Sequence, residues 1–159
     1  MIGWVFLALV GLARAEDCAK EPGEVDDCCP KVQPVGDPWA GAAGLDFALI
    51  SHGEEVDLKA HQAADKITIF EFGARWCGPC WPMAATLTDA LRQRPYLAIR
   101  AVELVGADAF ESFEQPIVRQ HLSEAQGLPW LIVRNARGKT LYQGSDPALA
   151  LAAAERKAP

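Results

Sequence analysis

Histidine is scarce in this chain: three residues in 159, at positions 52, 61 and 121, with no spacing that suits a shared metal ion. Structural zinc draws four ligands, usually from two Cys-x-x-Cys pairs, and only one such pair is present. Positive charge is also short, with 15 Lys and Arg against 21 Asp and Glu, a formal net charge of −6. No basic patch offers itself to a phosphate backbone, so no nucleic acid is expected as a partner. Apolar runs are short as well. None reaches the roughly 18 residues that a membrane-crossing helix requires, and no repeat or low-complexity tract interrupts the chain after position 45. The length fits one domain with tails, with enough apolar sequence for a proper core.

The first 15 residues differ from the rest. Ile2 to Leu12 is apolar and ends in Ala13-Arg14-Ala15, the pattern of a secretory leader cleaved after Ala15. The expectation is an exported protein, periplasmic or extracellular. The leader has no Lys or Arg before its apolar run, and an uncleaved form would instead anchor the chain facing the periplasm. Residues 16–44 then hold seven acidic side chains against Lys20 and Lys31, with four prolines and four glycines and no period. Such a stretch reads as an extended tether.

Three of the five cysteines, Cys18, Cys28 and Cys29, fall in that tether. In an exported chain a structural disulfide between Cys18 and one of its two partners is the plain reading. A second redox site, or a soft-metal site for copper(I) or zinc, is the alternative. The sequence does not choose between them.

The other two cysteines carry the chemistry. Cys77-Gly78-Pro79-Cys80 follows Trp76 and the β-prone run Ile67-Thr68-Ile69-Phe70-Glu71-Phe72, so two thiols stand where a strand gives way to a helix. At that spacing both sulfurs come within disulfide reach. The unpaired N–H groups and partial positive charge of a helix start favour thiolate over thiol. Thiolate is the attacking species in disulfide exchange, which points to reversible redox chemistry. A bridge closing so small a loop adds little stability, which argues against an inert staple. Cys77, first of the pair, is expected to be the exposed nucleophile, and Cys80, one turn inward, the resolving thiol. Glu71, six positions before Cys77, shares a strand face with Ile69. Buried there, its carboxyl would have its pKa raised toward the thiol range and could move the proton of Cys80.

From position 45 onward, strand-like and helix-like segments alternate. Residues 46–50 and 54–58 suggest a leading β-hairpin turned at Gly53; residues 59–65 a helical turn; residues 67–72 a strand. A helix is expected from Cys77 to about Gln93, a strand over 96–104, a helix over 114–126 and a strand over 130–134. A turn at 135–138 and a strand at 139–143 precede a last helix, capped by Asp146 with Pro147 at its first position. This order implies an α/β domain: a central mixed sheet with helices on both faces, and an added N-terminal hairpin. The reactive pair then lies beyond the carboxyl end of a strand.

Over residues 45–159 the chain resembles the thioredoxin-fold proteins. The likeness rests on Phe70-Glu71-Phe72-Gly73-Ala74, on Trp76-Cys77-Gly78-Pro79-Cys80, and on Pro129 after Gly127-Leu128. The leader, tether and leading hairpin are similar to the exported TlpA-like branch. The resemblance implies a cis peptide before Pro129, a substrate segment pairing with the main chain of Leu128, and a contact surface of Trp76, Gly78, Pro79, Leu128, Pro129 and Trp130. It also implies a buried acid at the place of Glu71. Trp130, Pro82 and Met83 depart from the family pattern. The expected activity is reduction of protein disulfides without a cofactor or metal: Gly78-Pro79 puts no histidine charge between the cysteines, so the pair should lie nearer thioredoxin's roughly −270 mV than the roughly −120 mV of a strong oxidant. The expected partners are disulfide-bearing proteins and a membrane-bound electron donor. A metal-handling or scaffold module built on Cys18, Cys28 and Cys29, or a disulfide oxidase or isomerase, are the competing readings.

Overall fold

A computed structural model describes residues 36–158. Five strands form one sheet in the order β1-β3-β2-β4-β5. Strand β1 (Phe47–Ser51) and β2 (Ile67–Ala74) both run parallel to β3 (Leu97–Leu104), while β4 (Trp130–Arg134) is antiparallel to β2 and β5 (Thr140–Gly144) antiparallel to β4. Helices α1 (Cys80–Gln93) and α4 (Pro147–Glu155) and the short helices α2 (Ala109–Phe113) and α3 (Pro116–His121) complete the domain. The expected mixed sheet with flanking helices is present.

Strand β2 organises the rest. All eight of its residues are buried, which is why it reads as a nearly unbroken apolar run and not as an alternation. Ile67 and Ile69 enter one core with Met83, Leu87 and Leu91 of α1 and Ala150 and Ala154 of α4. Phe70 and Phe72 enter the other with Leu104, Ile117, Leu122 and the two cysteines. Helix α1 buries Cys80, Met83, Ala84, Leu87, Thr88 and Leu91, the three- and four-residue spacing of a helix with one apolar face. Pro82 sits in its first turn, where an N–H has no partner within the helix, so its missing donor costs nothing there. Helix α4 starts as its sequence foretells: Asp146 Oδ1 accepts from the N–H of Ala148 and Leu149, with Pro147 at the first position.

Three local expectations are corrected. Of the leading hairpin only the first arm is a strand; β1 pairs with β3, and residues 54–58 turn away from the sheet. Their polar groups are met elsewhere: the Ser51 hydroxyl donates to Glu54 O, and Val56 N–H donates to Gln120 Oε1. The helix expected over 114–126 is confined to α3, which opens on Pro116 and ends at His121, while α2 before it is capped by Asp108. The domain also begins before residue 45. Trp39 stacks on Phe47 with centroids 4.8 Å apart, Ala42 is buried, and Arg92 Nη2 donates to Gly41 O at 2.7 Å. The acidic, Pro- and Gly-rich composition around these anchors conceals them. Cys18, Cys28, Cys29 and the leader lie outside the described residues.

Leu87 is fully buried between sheet and helix, so Leu87→Ala should cost about 2–5 kcal/mol. Urea unfolding should show a lower midpoint at unchanged slope; a loss below about 1 kcal/mol would contradict this packing.

Candidate redox site

The site is built where β2 ends. Its chain leaves the sheet at Ala74, turns through Arg75 and Trp76, and enters α1 at Cys80. Hydrogen bonds from Cys77 N–H to Ala74 O (3.1 Å) and from Cys80 N–H to Cys77 O (3.0 Å) close the turn. Cys77 and Cys80 are joined as a disulfide with Cα atoms 5.4 Å apart. Two indoles hold this segment: Trp81 Nε1–H donates to Arg75 O at 3.1 Å, and Trp76 Nε1–H donates to the Ser112 hydroxyl at 2.8 Å. Ser112 is itself buried and donates to Val105 O. Helix α1 has no side-chain cap and no acid in its first turn, so its positive end stands uncompensated beside the sulfurs and favours a thiolate once the bridge opens.

Cys77 was expected to be exposed, and it is not: Cys77 is 3 % exposed and Cys80 4 %. Trp76, Leu128 and Trp130 pack against the core that contains both cysteines. Gly78 and Pro79, between the cysteines, are exposed.

The 127–130 loop lies at the site. The Leu128–Pro129 peptide is cis, Pro129 is buried, and Pro79, Pro82, Leu128 and Pro129 line one groove. Trp130 lines an adjoining depression with Gly127 and Leu128. No backbone hydrogen bond among the described residues outside the helices and strands engages Leu128, which leaves its main chain able to pair with an extended segment. The structure therefore gathers Trp76, Cys77, Gly78, Pro79, Cys80, Leu128, Pro129 and Trp130 into one region.

Glu71 is 2 % exposed and, with Cys80, lines a cavity of about 160 Å³. Its pKa is pushed up to about 8, first by burial and second by the negative charge of Glu103. Among the described residues no cation pairs with it. Room for the side chain comes from Gly73, the next residue on the same strand face: a Cβ there would lie 2.5 Å from Glu71 Oε1. The arrangement can hold a proton near neutral pH and exchange it with the thiol of Cys80. No group of three or more His, Cys, Asp or Glu suited to a metal ion is found among the described residues, and no helix there is long and apolar enough to cross a membrane.

Gly73, Glu103 and Ser112 were not recognised from the sequence. Glu103 could have been found from sheet register, because it pairs in parallel with Gly73 and so falls on the face of Glu71. Ser112 left no signal, since its role depends on where α2 docks.

No protein-family model matches the chain. It is 28 % identical over 85 residues to Thioredoxin-1 of Drosophila yakuba, a match spanning 53 % of this chain and 72 % of that protein. Fasciola hepatica thioredoxin superposes with a TM-score of 0.50 at 16 % identity, over 68 % of this chain and 98 % of the other. Thioredoxin f2 of Chlamydomonas reinhardtii gives 0.50 at 15 % identity, over 70 % and 99 %. The domain has the thioredoxin fold, and these likenesses together with the Cys77–Cys80 pair support a thiol-disulfide oxidoreductase.

A buried acid of raised pKa makes stability depend on pH. Between the ordinary carboxylate range and about pH 8 the unfolded chain ionises Glu71 while the folded protein does not. Stability should therefore fall as pH rises through that window and level off above it. Glu71→Gln should be the more stable protein at pH 7, by an upper bound of about 3 kcal/mol, with the advantage vanishing near pH 4. Parallel denaturation curves for the two proteins across this range would contradict the assignment.

Proposed function

We propose that this thioredoxin-fold chain is an exported reductant of protein disulfides, working by dithiol exchange through Cys77 and Cys80. The observation that carries this reading is the redox-type pair at an uncapped helix start, flanked by a groove containing Leu128 and cis Pro129. In the reduced protein Cys77 thiolate attacks a substrate disulfide, so that a Cys77–substrate disulfide forms and one substrate thiolate leaves. In the fraction of molecules whose Glu71 is ionised, which grows as pH approaches 8, Cys80 gives its proton to that carboxylate and attacks Cys77 Sγ. The second substrate thiolate departs, and the Cys77–Cys80 disulfide remains. Two electrons have passed to the substrate, whose sulfurs take up two protons. A membrane-bound dithiol donor is proposed to return the oxidised pair to the reduced state, because an oxidising compartment does not.

The substrate is an extended segment that lies along Leu128, with Trp76, Pro79 and Trp130 as apolar walls. The bulk of Trp130 narrows the choice of client. Export rests on the apolar run of Ile2 to Leu12 ending in Ala13-Arg14-Ala15, and the leader and acidic tether favour the exported, TlpA-like branch. Of the competing readings, the metal-handling one depends on Cys18, Cys28 and Cys29. Metal analysis of anaerobically purified protein, with those three substituted in parallel, separates it from the reductase.

An insulin-reduction assay tests the reaction. Wild-type protein should turn over with dithiothreitol as donor, and Cys77→Ser should retain no more than the background rate; full turnover in that variant would remove Cys77 from the mechanism. The direction of electron flow is tested by equilibration with glutathione. The pair should have a potential nearer −270 mV, and a value above about −180 mV, where isomerases lie, would overturn the reductant role.

A further inference from the structure

The groove and the cavity behind the disulfide share no lining residue. When a protein substrate covers the groove, the proton of Cys80 still has to leave, and the cavity offers the way. Glu71 and Cys80 both line it, and so do Glu103, Arg75 and Asp37. Gly73 pairs in register with Glu103 on the neighbouring strand, so no side chain stands between the Glu71 carboxyl and the one from β3. Accessibility rises along this line: Glu71 is 2 % exposed, the Glu103 side chain 18 %, and its partners Arg75 and His52 60 % and 57 %. Arg75 Nε donates to Glu103 Oε1, and His52 Nδ1 lies 3.5 Å from Glu103 Oε2. At about 160 Å³ the cavity far exceeds the roughly 10–15 Å³ a water molecule needs, and Asp37, Glu71, Arg75 and Glu103 are the charged groups in its otherwise largely apolar lining.

We propose that Glu103 is a positioning residue and second station of a proton path that runs from Cys80 through Glu71 to solvent at Arg75 and His52, apart from the substrate groove. The inference rests on the exchange reaction proposed above. The proton leaves Cys80 Sγ for the Glu71 carboxylate, passes across the cavity to the Glu103 carboxylate, and is released to water; Cys80 thiolate is then free to attack. The Arg75 guanidinium holds the Glu103 charge in place and tempers its effect on Glu71. The charged and titratable groups lining or bordering the cavity are Glu71 and Arg75 from β2 and its following turn, Glu103 from β3, His52 after β1, Asp37 ahead of the sheet, and Cys80 of α1.

The test follows release of a coloured aryl thiolate from a preformed Cys77 mixed disulfide as Cys80 attacks it, across pH 5 to 10. It is done in a His52→Gln background so that imidazole does not contribute. Glu103→Gln removes a negative neighbour of Glu71 and should lower the midpoint of the profile by roughly half a pH unit; Glu103→Asp should restore it. Arg75→Gln leaves the acid but removes its counter-charge and should raise the midpoint. In Glu103→Gln the rate at fixed pH should also become dependent on added imidazole, which replaces the lost station. Unchanged midpoints, or shifts of the same sign in Glu103→Gln and Arg75→Gln, would overturn the proposal, because loss of the ion pair as a structural tie affects both alike. If the background protein releases no thiolate at any pH, the exchange reaction itself fails; if it does and the variants behave as it does, only the path fails.

Discussion

A carboxyl group buried in the middle of the central strand is the constraint on which the site depends. Glu71 lies in β2, every residue of which is buried, and the same strand delivers the chain directly into the Cys77–Cys80 turn. The fold therefore cannot shift one without the other. Burying an acid on a strand that anchors both cores is unfavourable, and the protein meets it by keeping the proton on: the pKa rises to about 8. A carboxyl with that midpoint is largely protonated at pH 7 and increasingly ionised toward pH 8, the form in which it can serve as the base proposed for Cys80.

The disulfide draws on two further arrangements. The uncapped start of α1 supplies partial positive charge, and the distant loop at Leu128 and Pro129 lines a groove with Pro79 and Pro82. Cys77 and Cys80 are both buried in the oxidised protein, so the exchange proposed above requires approach on the side of the exposed Gly78–Pro79, where Gly78 presents no side chain. Trp76, next to Cys77 in the chain, is held in place by its hydrogen bond to Ser112.

What was legible in the sequence was local. The Cys-x-x-Cys turn, the apolar run of β2 and the Asp146-Pro147 helix start follow from neighbours within a few positions, whereas the burial of Glu71 was favoured over an exposed place at the sheet margin only by the resemblance to thioredoxins. What was not legible depended on residues brought from afar. The alternation over 54–58 mimics a strand arm, yet Val56 finds Gln120 and His121 instead of a partner strand. Cys77 looked exposed because nothing in its own stretch announces the core it joins, which draws residues from β3, β4 and α3. Glu103 became part of the site only through parallel register with Gly73, and Trp39 was hidden in a segment whose composition argues for a tether.

The central claim, that Glu71 keeps its proton at neutral pH beside Cys80, is tested most directly by a carbon-13 NMR titration of glutamate side chains in the oxidised protein, with Glu71→Gln to assign the resonance. The account predicts that the Glu71 carboxyl carbon titrates near pH 8. A midpoint in the ordinary carboxylate range, near 4.5, would contradict it.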